Sequence, residues 1–105
     1  MIKADHTVTT NITDGITIID SQMPADILLS FESFRQEAAD RGCLFFSETN
    51  ENNSVRTISF IWDNQTIMNS FVEWCNEREY LDLYTRFTAV IEDNGGTLTK
   101  TFTEI

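Results

Sequence analysis

Few side chains in this sequence are suited to catalysis. The chain has one histidine, His6, and two cysteines, Cys43 and Cys75. A Cys–His nucleophile would need the imidazole to lie against one of the thiols. His6 stands near the start of the sequence, whereas both cysteines stand among apolar residues, as buried and reduced core thiols do. We therefore predict no catalytic residue.

Metal and cofactor motifs are also missing from the sequence. One histidine and two widely separated cysteines are too few soft ligands for a structural zinc site. The polar stretch 48–53, with three Asn and two Glu, lacks the glycine and the ligand spacing of a calcium loop. No glycine-rich phosphate loop and no G-x-S-x-G nucleophile turn occurs. We predict that the chain holds no metal and no cofactor.

Aromatic residues are the better candidates for a binding pocket. Aromatic side chains line apolar pockets, and a phenol hydroxyl or an indole N–H can orient the bound molecule. A guanidinium beside them could meet a carboxylate. The candidate pocket residues are Arg56, Trp62, Trp74, Tyr80, Tyr84 and His6. The alternative, in which the aromatic residues are plain core and Arg56 is solvated, stays open.

The charge balance narrows the choice of partners. Seventeen acidic residues face seven basic ones, for a formal net charge of −10. Phosphate backbones and anionic membrane surfaces are bound through Lys and Arg, so we predict neither nucleic acid nor a membrane as partner. No apolar run approaches the ~18 residues of a membrane span, and no apolar signal segment is visible. We expect a cytoplasmic protein.

The elements that must position these residues begin with an alternating segment, His6–Thr13, which predicts a strand. Asp14-Gly15 follows, a dipeptide favoured in type I′ hairpin turns, and Ile16–Ile19 is interpreted as a second strand. The alternative is one long strand with a bulge at Gly15.

Two helical segments follow at apolar positions that recur with helical spacing. The first opens at Pro24 and ends at Gly42, which suits a helix C-terminus. The second is capped by Asp63-Asn64, and the polar stretch 76–79 is able to kink or interrupt it before Asn94 and two glycines end it.

The remaining strands complete a recognisable order. Cys43–Phe46 and Val55–Trp62 should pair as an antiparallel hairpin, and Thr97–Ile105 alternates as the last strand. The resulting order, (β)β-α-β-β-α-β, is the split βαβ pattern of ferredoxin-like α+β domains. We predict a single domain over 1–105, with an antiparallel sheet, two helices on one face and an extra N-terminal strand. Lys100 interrupts the apolar face of the last strand, so which sheet face carries the helices stays open.

The uncovered face of this sheet is the most informative feature. The strand Val55–Trp62 carries apolar side chains on both faces, although an open face is normally polar at alternate positions. A second copy of the chain would cover it through an isologous interface. The candidate interface residues are Phe45, Phe60 and Ile61. Alternatively, the extra strand or the segment Tyr80–Ile91 covers the patch within one chain.

Element order, length and the two-sided sheet resemble the dimeric ferredoxin-like superfamily, which includes the antibiotic-monooxygenase and stress-responsive dimeric α+β barrels. The resemblance spans roughly Ile16 to Phe102 and rests on architecture. It implies a homodimer with a small apolar ligand between sheet and helices. We therefore predict a non-catalytic homodimer that binds a small apolar or amphipathic molecule. The alternative is a cofactor-free enzyme of the monooxygenase or isomerase kind, acting on a small hydrophobic substrate.

Overall fold

Alternating and helical periodicities divide the chain into four strands and four helices. The computed structural model describes residues Met1–Ile105. The elements are β1 (Ile2–Thr10), α1 (Gly15–Gln22), α2 (Ala25–Asp40), β2 (Cys43–Glu51), β3 (Val55–Trp62), α3 (Gln65–Asn76), α4 (Tyr80–Asp93) and β4 (Gly96–Glu104). The strands form one antiparallel sheet in the order β2-β3-β1-β4. The predicted ferredoxin-like α+β fold is confirmed.

The N-terminal hairpin is the part of the prediction that is wrong. Gly15–Gln22 is a helix, so no extra N-terminal strand exists, and β1 begins at Ile2. Asp14 adopts a left-handed conformation, and a Cβ on Gly15 would lie 2.2 Å from the Thr10 hydroxyl oxygen. Gly15 is therefore required for close contact between α1 and the end of β1. Ile16 and Ile19 are both buried, which is the spacing of a helix face.

The two predicted helical segments are present, and the second is divided. Pro24 precedes the first residue of α2, and the backbone N–H of Ile67 donates to the Asn64 side chain over 3.0 Å at the start of α3. Between α3 and α4 the chain turns at Glu79, which is left-handed. The polar stretch thus ends one helix and begins another. None of the four helices is both long and apolar enough to cross a bilayer.

β1 occupies the centre of the sheet and fixes the two faces. Its even-numbered residues Ala4 and Val8 are buried on the face that carries the helices. The register pairs Thr7 of β1 with Thr99 of β4, and the Thr7 hydroxyl lies 3.2 Å from that of Thr57 in β3. The Thr-rich ends of the chain are therefore neighbours on the open face.

The apolar core on the helix-bearing face consists of two clusters. The first cluster is Val8, Ile16, Ile19, Met23, Ile27, Leu83 and Ile91. The second is Ala38, Trp62 and Met68, against which Ile2 packs. Along β1, His6 precedes Val8 of the first cluster and follows Ile2, which touches the second. The strand residues beneath the space between the two clusters therefore include the polar His6 as well as apolar residues.

The open face carries hydroxyl groups and a small apolar patch. Ser59 donates to the Asp5 carboxylate over 2.5 Å near its centre. Phe45 of β2 and Ile61 of β3 lie opposite each other, and Phe45 is 58% exposed. Phe60 points to the other face and packs against the second core cluster, so it does not belong to an open-face interface. Of the three candidate interface residues, Phe45 and Ile61 therefore lie on the open face and Phe60 lies on the helix-bearing face.

Candidate functional site

Four side chains from three elements meet on the helix-bearing face, between the two core clusters. Lys100 of β4 lies opposite His6 of β1 in the sheet register. The Lys100 ammonium lies 4.5 Å from the ring centroid of Tyr84 and 5.3 Å from that of Tyr80, both in α4. We call His6, Tyr80, Tyr84 and Lys100 the Lys100 cluster.

The start of α4 explains why the two tyrosines lie together. Residues four apart share one face of a helix, and the two tyrosine ring centroids are 5.7 Å apart. Phe34 of α2 meets Tyr80 edge-on at 5.5 Å and Trp74 at 5.6 Å. Trp74 therefore packs against Phe34, which in turn packs against Tyr80, but Trp74 is not a member of the Lys100 cluster.

Burial keeps most of this cluster uncharged. Burial, and then repulsion from Lys100, lowers the pKa of His6 to about 4, against a smaller opposing effect of Asp5. Burial raises the pKa of the Tyr80 hydroxyl well above its usual range and that of the nearby Cys75 thiol to about 11. At neutral pH these groups are neutral. The charge of the cluster is carried by the Lys100 ammonium, whose pKa is lowered by burial.

Lys100 differs from the other basic residues in having no acidic partner. The other six each have a side-chain nitrogen within 4 Å of a carboxylate oxygen: Lys3, Arg35, Arg41, Arg56, Arg78 and Arg86. The Lys100 ammonium instead rests on the faces of two tyrosine rings, a cation–π arrangement. In a chain with seventeen acidic residues, one cation is thus left without a carboxylate.

Two spaces in the surface lie beside the cluster. A groove of about 370 Å³ runs along α4 and is lined by Tyr84, Thr85, Thr88, Ala89 and Glu92. A smaller cavity of about 160 Å³ lies between α2 and β2, with Arg35 as its charged residue and seven apolar residues, Phe60 among them. The His6 ring meets Phe60 edge-on at 5.9 Å. The Lys100 cluster therefore adjoins the groove through Tyr84 and reaches the cavity through Phe60.

The structure separates the remaining predicted pocket residues from this cluster. Trp62 is 1% exposed and belongs to the second core cluster. Trp74 packs against Phe71 and lies under the Arg78 guanidinium, 4.1 Å from its ring centroid. Trp62 therefore lies in the core, and Trp74 lies beside it between Phe71 and Arg78.

Arg56 already has partners of its own. Its guanidinium contacts the Asp20 carboxylate of α1 at 2.5 Å and the Glu48 carboxylate of β2 at 3.4 Å. Its guanidinium is therefore already paired, whereas the sequence analysis left it free to meet a ligand carboxylate. The basic residue without a carboxylate partner is Lys100, which the sequence marked only by its interruption of an otherwise apolar strand face. No three His, Cys, Asp or Glu side chains come together as a metal-ligand set.

Comparison with known proteins supports the fold. No family model and no curated protein matches this sequence. Among solved structures, the chain is similar to a dimeric ferredoxin-like protein from an uncultured marine organism, with a TM-score of 0.67 over 99% of this chain and 94% of that one. The identity is 9%, so the likeness shows the fold alone. The predicted resemblance in architecture to the dimeric ferredoxin-like proteins is confirmed.

Proposed function

We propose that this chain forms a homodimer and binds a small amphipathic molecule at the Lys100 cluster, without converting it to a product. The observation that carries the proposal is the convergence of His6, Tyr80 and Tyr84 on Lys100, in the gap between the two core clusters. Two predictions from the sequence remain: cytoplasmic residence, from the lack of an apolar span or signal segment, and neither nucleic acid nor a membrane as partner, from the charge balance.

The groove beside α4 suits a small ligand in size and chemistry. Its volume is about 370 Å³ and all five residues that line it belong to α4, so it would hold one side of a small ligand. Tyr84 supplies an aromatic wall, and Thr85 and Thr88 already donate their hydroxyl protons to backbone carbonyls. Because these hydroxyl protons are already bonded, the Thr side chains offer the groove their methyl groups. Lys100 and the tyrosine hydroxyls are then the groups that would bind the polar end of a ligand. Such a lining favours a molecule with an apolar body and one polar end.

The lowered pKa of His6 favours binding without turnover. A general base works best when its pKa lies near the working pH, whereas His6 has a pKa of about 4. Its neutral imidazole accepts a hydrogen bond, but it is a weak base. The cofactor-free enzyme remains the alternative without an observation in its favour.

The dimer is proposed to form through the open face of the sheet. The exposed Phe45 and the half-buried Ile61 form an apolar patch there, and two copies related by a two-fold axis would cover each other's patch. The structurally similar marine protein is described as dimeric. Ile61→Asp should give folded monomers in light scattering coupled to gel filtration. The control Leu29→Asp, at a 72% exposed position on α2, should stay dimeric. A folded dimer of Ile61→Asp would contradict the face-to-face arrangement.

Native mass spectrometry of the purified protein tests both parts of the proposal. We expect twice the chain mass plus a small organic molecule, which is lost in Tyr84→Ala and retained in Leu29→Ala. A dimer that acquires no adduct from a panel of small amphipathic molecules would refute the binding site and leave the dimer. A bare monomer would refute both.

A further inference from the structure

We propose that the molecule bound at the Lys100 cluster is a monocarboxylic acid with an apolar body, and that its carboxylate binds the Lys100 ammonium. This inference rests on the proposed binding function and specifies the class of ligand. It follows from Lys100 being the one basic side chain without a carboxylate partner, from its neutral surroundings, and from the adjoining groove, which Tyr84 lines.

The partners of the other basic residues make Lys100 exceptional. The chain has seventeen acidic residues, and each of the six other bases lies within 4 Å of a carboxylate oxygen. Lys100 has no carboxylate within the same distance. Its ammonium carries three donor hydrogens, and the tyrosine faces attract the charge without offering a lone-pair acceptor. A ligand carboxylate would supply that acceptor.

The groups that face Lys100 offer no competing negative charge. His6 lies opposite it on β1 and is neutral above about pH 4, and burial raises the pKa of Tyr80, Tyr84 and Cys75, so these groups hold their protons at neutral pH. The nearby Asp5 belongs to the opposite face of the sheet, where it accepts from Ser59. An anion at Lys100 would therefore meet one positive charge and uncharged polar groups.

Glu92, at the far end of the groove, explains why we propose a ligand with only one acid group. Glu92 lines the groove and follows Tyr84 by eight residues, which is about 12 Å along an α-helix. A ligand whose carboxylate reaches Lys100 would place its other end towards Glu92. A second carboxylate there would be repelled, so the groove favours an apolar body ending in one acid group over a dicarboxylate.

The experiment compares acids with their neutral amides. The probes are two pairs: 2-naphthoate with 2-naphthamide, and octanoate with octanamide. Each is titrated into ¹⁵N-labelled protein, and binding is followed by the chemical shifts of the protein's backbone amides. We expect the acids to bind wild-type protein about tenfold more tightly than the amides, as a charge-assisted hydrogen bond provides. Lys100→Met should remove this preference, Lys100→Arg should retain most of it, and the control Lys3→Met, on the open face, should leave it unchanged.

The possible failures are distinguishable. Equal binding of acid and amide by the wild type overturns the carboxylate inference and leaves the binding function standing. A preference that survives Lys100→Met in folded protein also overturns it, because the anion is then held elsewhere. If neither member of either pair binds, the proposed function is refuted and this inference falls with it.

Discussion

Lowering the pH from 7 to 5 should destabilise this fold through a single residue. His6 has a pKa of about 4 in the folded chain and an ordinary value of 6.5 when unfolded. Between those values the unfolded chain binds a proton that the folded chain excludes. Stability is therefore full above the unfolded pKa and is lost as the pH falls towards the folded one.

The size of the effect follows from the same two values. Proton linkage at one site with these pKa values removes about 2 kcal/mol of unfolding free energy between pH 7 and pH 5. Asp26 is the carboxyl whose pKa is lowered, by its hydrogen bond with Arg86, and it acts only below its ordinary value of 3.8. His6 is the chain's only histidine, so this pH window belongs to it.

Urea unfolding at a series of pH values measures the loss, and proton NMR gives the folded pKa directly from the one imidazole. His6→Gln, which removes the titration, should make stability nearly independent of pH between 5 and 7. Lys100→Met should raise the His6 pKa, because it removes the repulsion that helps to lower it. A His6 pKa near 6.5 in the folded wild type, or an equal pH slope in His6→Gln, would refute the reasoning.

Three further predictions concern packing, capping and thiol reactivity. Ile91→Ala should cost about 2–5 kcal/mol in urea unfolding because Ile91 is fully buried, whereas Leu29→Ala, at an exposed site, should change stability by less than about 0.5 kcal/mol. Asn64→Ala should cost about 1 kcal/mol through loss of the α3 cap, and an unchanged midpoint would contradict it. Cys43, which is partly exposed, should react with a thiol reagent faster than Cys75, whose pKa burial raises to about 11; the reverse order would contradict their placement.

The fold was largely predictable because most elements combine a clear period with an end signal. The strand Val55–Trp62 has the predicted bounds, and Asn64 caps the next helix as expected. The segment that failed, Ile16–Ile19, is rich in β-branched residues and follows a hairpin dipeptide, so local preference favoured a strand. Tertiary packing decided otherwise, because Ile16 and Ile19 complete the first core cluster only when they share a helix face.

The candidate site was harder to predict because it depends on contacts between distant residues. Tyr80 and Tyr84 were identified from residue type and helical spacing. Lys100 was not, because its significance requires the pairing of β1 with β4 and the position of α4 above them. Its residue type made Arg56 a reasonable candidate to bind a ligand carboxylate. Its partner Asp20 is distant in the sequence and is brought close only by the turn of the chain into α1.

The central position of β1 has a consequence for how the chain folds. Its neighbours are β3 and β4, so the Thr7–Thr57 pair spans 50 residues and the backbone pairing of Met1 with Ile105 spans 104. Closing such long loops costs entropy before any contact repays it, so this topology should fold more slowly than a helical bundle of equal length. Until β4 docks, one edge of β1 has unpaired backbone groups that are able to pair with another chain. The step most exposed to aggregation is therefore the addition of the last strand, and dilute conditions during refolding should favour its correct completion.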